Sequence, residues 1–337
     1  MITVLFSYLE NIKTEINFKK VRNLIIIVVT IILFSSLLIL EVEPNQQLKT
    51  FEDALWWSIV TSTTVGYGDI FPVTFRGRII AILLMVLGIG TFGAFTAEFA
   101  NLFMRLKNRK ELGEMKAGYN DHLVICGWCK IAQEVIVQAL NEEEQQKIVL
   151  VANIEKDPYP DKENIHFVRG NIDDEVTLKR AGIDKASKAI VLNEDANDST
   201  TVLSVLTIES LNPDIYTVVE VENRQNKKHF VNANVDEIII TNQLNSQLLV
   251  RTAFYEGTSN FIEELLSNKN GNEIYMLPLP TDDSGIKFID LLNKYKQEQD
   301  IIILGIKRKG EIITNPANDE IINPADELIY IAKDSIM

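Results

Sequence analysis

Cysteine is nearly absent: Cys126 and Cys129 are the only two in 337 residues. No disulfide framework can form, which assigns the polar part of the chain to a reducing, cytosolic compartment. The pair spells Cys-x-x-Cys, but no second pair completes a zinc site and Cys126 ends an apolar run, so neither metal nor redox chemistry is expected there. Histidine is equally scarce, and His122, His166 and His229 have no metal-ligand spacing. No nucleophile, base and oxyanion donor form a readable constellation, so an enzyme is not expected. Basic charge is short as well. The formal charge is −14, divided as +3 over residues 1–110 and −17 over the remainder. A polyanion needs clustered Lys and Arg, which excludes nucleic acid as a partner and makes a cation the natural ligand of the acidic part.

What the chain does have is two long uncharged runs, Asn23 to Leu40 and Ile79 to Ala97, of 18 and 19 residues. Each is about long enough to cross a hydrocarbon core of ~30 Å as a helix. No small-residue cleavage site follows the first, which argues against a signal peptide. Lys13, Lys19, Lys20 and Arg22 precede the first run, and Arg105, Lys107, Arg109 and Lys110 follow the second. Both termini are therefore expected in the cytoplasm, in a multi-pass protein of the cell membrane. Arg76 and Arg78, on the outer side, run against that rule. Between the runs, Phe51 to Thr63 is apolar but too short to cross and reads as a re-entrant helix. It leads into Thr64-Val65-Gly66-Tyr67-Gly68-Asp69. Irregular backbone survives at membrane depth only where protein buries it or where it lines a cavity. Gly66 and Gly68 permit the alternating left- and right-handed dihedrals that turn successive carbonyls to one side. Val65 and Tyr67 then point away, and Trp56 and Trp57 suit a packing cuff around Tyr67.

Residues 58–78, from Ser58 through this hexapeptide to Arg78, resemble the pore loop of two-helix prokaryotic potassium channels. In such channels a Thr-Val-Gly-Tyr-Gly loop replaces the hydration shell of K+ with carbonyl oxygens. The resemblance implies K+ as the permeant ion and Thr64 to Asp69 as the selectivity filter. An ion must be surrounded, so a homotetramer in the lipid bilayer is required, with heterologous interfaces around one axis. The C-terminal ends of four re-entrant helices, each with about half a negative charge, would favour a cation there. Leu87-Gly88-Ile89-Gly90-Thr91-Phe92 is similar to the inner helix of the ligand-gated members. Gly88, Gly90 and Gly93 admit two readings. One is close helix packing. The other is a gating hinge at Gly88 or Gly90, because each Gly costs about 0.8–1.0 kcal/mol in a helix interior. Glu98, beyond them, faces either the cytoplasmic mouth or a basic partner. No helix carries regularly spaced arginines, so no voltage sensor is encoded.

Beyond a charged stretch, strand-like runs alternate with helical ones: His122 to Cys126, Lys147 to Ala152, Ile165 to Arg169, Lys188 to Leu192, Tyr216 to Val221 and Asp236 to Thr241. Such alternation predicts a parallel sheet with helices on both faces. The expected organisation is an all-α membrane pore (1–104), a linker (105–121), a Rossmann-like α/β lobe (122–243), an interface helix pair (244–273) and a small α+β C-terminal lobe (274–337). With the pore attached, this order resembles a regulator-of-potassium-conductance (RCK) module with its TrkA-N and TrkA-C parts. His122-Leu123-Val124-Ile125-Cys126-Gly127-Trp128 is similar to the first strand and turn of calcium-gated channels of the MthK type. The resemblance implies a ligand-gated potassium channel whose RCK domains pair into an octameric intracellular gating ring, four of them tethered to the inner helices.

Ligands of an open parallel sheet bind at the carboxyl ends of strands, where strand order reverses. Glu194 follows the fourth strand, and Glu220 and Glu222 end the fifth, on one face by the period of two. Calcium takes six to eight oxygens in irregular geometry and suits such residues better than magnesium. The three positions match the calcium-coordinating carboxylates of the MthK-type family, Glu194 standing where that type has aspartate. A solvated acidic edge and a different ligand are the competing readings. The different ligand is NAD(H) or an adenine nucleotide, the chain then being a nucleotide-regulated potassium channel or a regulatory NAD-binding subunit of a potassium transporter. Its Gly-x-Gly-x-x-Gly fingerprint is degenerate here, Gly127-Trp128-Cys129-Lys130-Ile131-Ala132, with only the first glycine kept. Asn153 and Glu155 after the second strand, and Arg169 at the end of the third, complete that candidate set, Glu155 for a ribose and Arg169 for a phosphate.

Overall fold

The computed structural model describes residues 18–43, 48–142, 145–194, 197–267, 271–280 and 283–335; Lys13, one of the expected flanking charges, lies outside them. Residues 1–120, 149–171 and 175–185 form one compact unit, and the rest form another. The first begins with α1 (Phe18–Val42), α2 (Phe51–Ser62) and α3 (Phe75–Glu111). Helices α1 and α3 are long and apolar enough to cross a membrane, and α2 is not. A shared apolar cluster of Ile39, Leu48, Ala54, Trp57, Ala81 and Leu84 holds the three together. Between α1 and α2 the Ser36 hydroxyl donates to Ser58 at 3.0 Å, pairing two hydroxyls that lipid could not satisfy. Helix α2 starts on a capping box, with the Asp53 amide donating to Thr50 Oγ1 and the Thr50 amide to Asp53 Oδ2 at 3.1 Å.

The stretch 105–121, expected as a linker, begins as helix. Helix α3 continues without a break to Glu111, so the first part of that stretch, 105–111, is helical. Their charges are carried on a polar helix face, where Lys107 pairs with Glu111 one turn on at 3.7 Å.

After it come β1 (Leu123–Cys126), α4 (Lys130–Glu142), β2 (Ile148–Ala152), β3 (Ile165–Arg169), α5 (Glu175–Ala181), β4 (Lys188–Val191), α6 (Asp198–Leu211), β5 (Tyr216–Val221), α7 (Lys227–Asn232) and β6 (Glu237–Ile240). The strands form one sheet in the order β3-β2-β1-β4-β5-β6. Pairs β1/β4, β4/β5 and β5/β6 are parallel. Order therefore reverses between β1 and β4, the switch point of a Rossmann-like fold. Every residue of β1 and β2 is buried, as strands covered on both faces must be.

Helices α8 (Thr241–Phe254) and α9 (Thr258–Leu266) follow, then β7 (Glu273–Pro278), α10 (Phe288–Gln299), β8 (Ile302–Arg308), β9 (Glu311–Thr314) and β10 (Glu327–Ala332). The last four strands make an antiparallel sheet, β7-β10-β8-β9, against which α10 buries Phe288, Leu291 and Tyr295. Arg308 clamps this lobe. Its Nε and Nη2 donate to the two oxygens of Asp326 at 2.9 and 2.8 Å, and Nη1 donates to Glu320 at 2.6 Å. The Arg308 hydrogen bond holds the buried Asp326 carboxyl below its usual range. A depressed folded-state value means stability that is present above the unfolded pKa of about 3.9 and is lost as pH falls through the folded value. Asp326→Asn should lower the opening free energy of β8 and β10 by about 2–3 kcal/mol at neutral pH and remove that acid dependence, read by hydrogen exchange of those strands.

Candidate ion pathway and effector site

The loop after α2 is set by backbone rather than side chains. Thr64, Gly66 and Gly68 have φ of 63°, 55° and 75°, with no positive φ at Val65 or Tyr67 between them. This alternation is the one that stacks successive carbonyls on one side of a chain. The amides of Val65 and Gly66 both turn back to the Val60 carbonyl, at 3.1 and 3.2 Å. Trp56 braces the loop from outside: its ring stacks on Tyr67 with centroids 5.9 Å apart, and its Nε1 donates to Asp69 at 2.9 Å. Of the two tryptophans expected to form a cuff, only Trp56 does so within one chain. Trp57, about 100° further round α2, is buried in the three-helix cluster instead. Residues 64–69 are all exposed in the single chain.

Helix α3 is fastened at its N-terminal end by Glu43. This buried carboxylate accepts from the Val73 amide at 3.1 Å and from the Thr74 hydroxyl at 2.6 Å, and Thr74 in turn caps α3. Further along, a Cβ on Gly88 would lie 2.8 Å from Ser62 Cβ, whereas Gly90 and Gly93 have nothing within 4 Å. Packing thus explains Gly88 and leaves Gly90 and Gly93 unexplained. Thr91 donates back to the Leu87 and Gly88 carbonyls at 2.8 and 3.0 Å, a back-bond that loosens and bends helices. Glu98 meets basic partners, Lys20 of α1 and Arg105 at 3.5 Å, which settles the choice left open by the sequence.

Past Glu111 the chain is strapped down. The Asp157 amide donates to the Glu111 carbonyl at 2.7 Å, and the Gly113 carbonyl accepts from the Arg169 amide at 2.8 Å. His166 Nε2 hydrogen-bonds the Met115 carbonyl at 3.1 Å, and the Ala117 amide reaches the Arg180 carbonyl at 2.8 Å. Asp157 itself is buried with Oδ2 lacking a hydrogen-bond partner, and burial raises its carboxyl above the usual range. Asn153 and Glu155 are exposed, Asn153 bonding Asn171 at 2.9 Å. Arg169 serves this strap through its backbone.

At the switch point, Glu194 accepts from the Trp128 amide in the turn after β1. Glu220 accepts from the Asn193 amide at 3.2 Å. Glu222 lines a polar cleft of about 580 Å3 with Asn197, Asp198, Asn223 and Arg224. The three glutamates share the right region without closing into a cluster, and among the described residues no group of three or more His, Cys, Asp or Glu is arranged to hold a metal ion. Two of them are held apart by separate backbone amides. Asp198, which no sequence pattern marks, is the organiser: it accepts from the Glu222 and Asn223 amides at 3.1 Å each, from Asn193 at 2.9 Å and from Asn226 at 2.7 Å.

Three family profiles cover this architecture in sequence, described as "Ion channel" (residues 25–105), "TrkA-N domain" (123–241) and "Castor and Pollux, part of voltage-gated ion channel" (242–336). "Probable potassium channel protein 2" of Methanocaldococcus jannaschii is 30% identical over 297 residues, 82% of this chain and 83% of that protein. The chain belongs to the RCK potassium channels. Among its other relatives, "Calcium-gated potassium channel TvoK" of Thermoplasma volcanium is 29% identical over 295 residues, 85% of this chain and 83% of that protein. Two solved structures share the channel's fold. The GsuK channel matches with a TM-score of 0.50 at 18% identity, over 94% of this chain and 58% of that one. The human SLO3 gating ring matches with a TM-score of 0.52 at 16% identity, over 63% and 44%. As a potassium channel with an RCK gating domain, the protein is a membrane protein and belongs with proteins that are not enzymes.

Proposed function

We propose that four copies of this channel surround one axis in the cell membrane, with Thr64 to Asp69 as the K+ filter, and that calcium bound at Glu194, Glu220 and Glu222 favours the open pore. The left-handed alternation at Thr64, Gly66 and Gly68 carries the filter reading, because it serves no packing purpose in the single chain. Basic residues at both cytoplasmic flanks, Lys19, Lys20 and Arg22 and then Arg105 to Lys110, support cytoplasmic termini. RCK modules paired into an eight-membered ring bring the strand-end carboxylates to four pore helices.

The calcium reading rests on donor chemistry and position. Carboxylates are the ligands a hard cation needs, and each offers about four lone-pair directions, so a single amide does not saturate it. β4 and β5 pair in register from Lys188 with Tyr216 to Val191 with Val219, which brings their following loops side by side. Calcium would be held by Glu194, Glu220 and Glu222, supplying the positive charge that lets three repelling carboxylates draw together. The calcium named for TvoK agrees with that chemistry. Changing all three residues to Gln should raise the calcium needed for half-maximal opening at least about ten-fold, roughly 1.4 kcal/mol, while single-channel K+ conductance in bilayers stays at the parent value. An unshifted calcium response would return these residues to the role of solvated surface charge.

A further inference from the structure

We propose that Glu194 supplies, from within the chain, the anion that the turn after β1 would otherwise take from a nucleotide phosphate, and so closes this module to nucleotides while it lies there. A TrkA-N fold implies a nucleotide at this turn, and the turn as occupied by Glu194 does not fit one. Dinucleotide turns hold the pyrophosphate on backbone amides at the start of the following helix, with glycines leaving room for its approach. Here the Trp128 amide, next after Gly127, already donates to Glu194 Oε1. The glutamate stem is built into the turn. Gly127 has φ 110°, and a Cβ on it would lie 3.1 Å from both Glu194 Cγ and the Leu192 carbonyl oxygen. The loop carrying Glu194 is stitched to β1 by the Leu192 amide, which donates to the Cys126 carbonyl at 2.8 Å. The charge is felt beneath the turn as well: burial first, and then Glu194, push the Cys126 thiol up to about 12. Cys129 and Ala132 carry side chains where a dinucleotide turn has glycine.

Two physical effects favour the internal occupant. A carboxylate on a backbone amide makes one of the stronger protein hydrogen bonds, and it forms with no loss of translational freedom. An incoming diphosphate would also meet Glu194, with Glu220 and Glu222 at the neighbouring strand ends, as like charges in a partly desolvated site. The closure follows from this geometry alone. Its release rests on the calcium reading above: a divalent cation that draws Glu194 toward Glu220 and Glu222 uncovers the Trp128 amide. Cation and nucleoside diphosphate would then each tighten the binding of the other by the same factor.

Equilibrium dialysis of radiolabelled ADP against the full chain in nanodiscs tests this. Parent protein in EDTA is expected to retain ADP at least about ten-fold more weakly than Glu194→Ala in EDTA, and calcium is expected to tighten ADP binding to the parent but not to the variant. Equal ADP binding by parent and variant in EDTA, or none by either under any condition, overturns the closure. ADP binding by Glu194→Ala with no calcium effect on the parent upholds the closure and removes Glu194 from the calcium reading. Hydrogen exchange of the Trp128 amide in the unmodified protein gives a check without any variant. Protection in EDTA is expected, and exchange at the rate of an open loop overturns the proposal.

Discussion

Potassium selectivity is expected to disappear in Gly66→Ala, with the K+ over Na+ permeability ratio from bi-ionic reversal potentials falling to near one. Space is not the reason, since a Cβ on Gly66 meets nothing within 4 Å in its own chain. The reason is φ 55°. An L-residue with a Cβ pays roughly 1–2 kcal/mol in the left-handed region, and four copies around one ion row sum to about 4–8 kcal/mol. That exceeds what a loop held to α2 by two amides on one carbonyl can absorb, so the peptide flips and the carbonyl row is broken. Gly90→Ala is the control. Its glycine has no positive φ and is equally uncrowded, so that variant should keep the parent reversal potential. Undiminished selectivity in Gly66→Ala would sink the filter assignment.

Uncoupling of calcium from opening is expected when eight Gly and Ser residues are inserted between Asn108 and Arg109. The site lies inside α3, before the bonds of Glu111 and Gly113 that strap the chain to the module. A flexible insert of that size spans about 15 Å root-mean-square and transmits almost no tension. Moving a gate from 1:99 to 99:1 takes about 5.5 kcal/mol, or roughly 0.7 kcal/mol from each site of the proposed eight-membered ring, and a slack tether dissipates differences that small. Calorimetric calcium binding should stay near the parent value while the calcium-evoked rise in open probability falls at least about ten-fold. Full activation despite the insert would mean that the module pushes on the membrane helices directly.

Much of this fold was legible because burial leaves long, simple signals. Strands β3 and β5 have the bounds expected from their apolar runs, β1, β2 and β4 differ by a residue at one end, and β6 by a residue at each end. The two long apolar helices and the irregular loop between them were equally plain, since lipid forbids ambiguous backbone. What escaped was specified by partners distant in sequence. The charged run 105–111 carries no apolar pattern to show that it continues the helix before it. Trp56 and Trp57 are equivalent in sequence, and only the cluster around Ala81 and Leu84 decides which is buried. Asp198 is one acid among 47 Asp and Glu, and its rank appears only when four donors from three segments converge on it. The same holds for Glu43 and Asp157, whose roles come from burial rather than pattern.

The Glu43 anchor holds one end of α3 fixed, so that a bend at Gly90, the proposed hinge, would turn the rest of the helix into a lever. Gly77 shows how tightly the near end is held, because a Cβ there would fall 2.0 Å from Glu43 Oε2. At 1.5 Å per residue the helix is about 55 Å long, and the arm from Gly90 to Glu111 is about 32 Å. Tilting that arm by about 10° sweeps its tip through about 5–6 Å while the filter end stays put. Read in reverse, the ratio would be a gearing: if the proposed hinge and filter hold, the module would have to travel several ångströms to turn the helix a few degrees, so a coarse movement at the strap would become a fine one beside residues 64–69, sparing them the stroke that opens the gate.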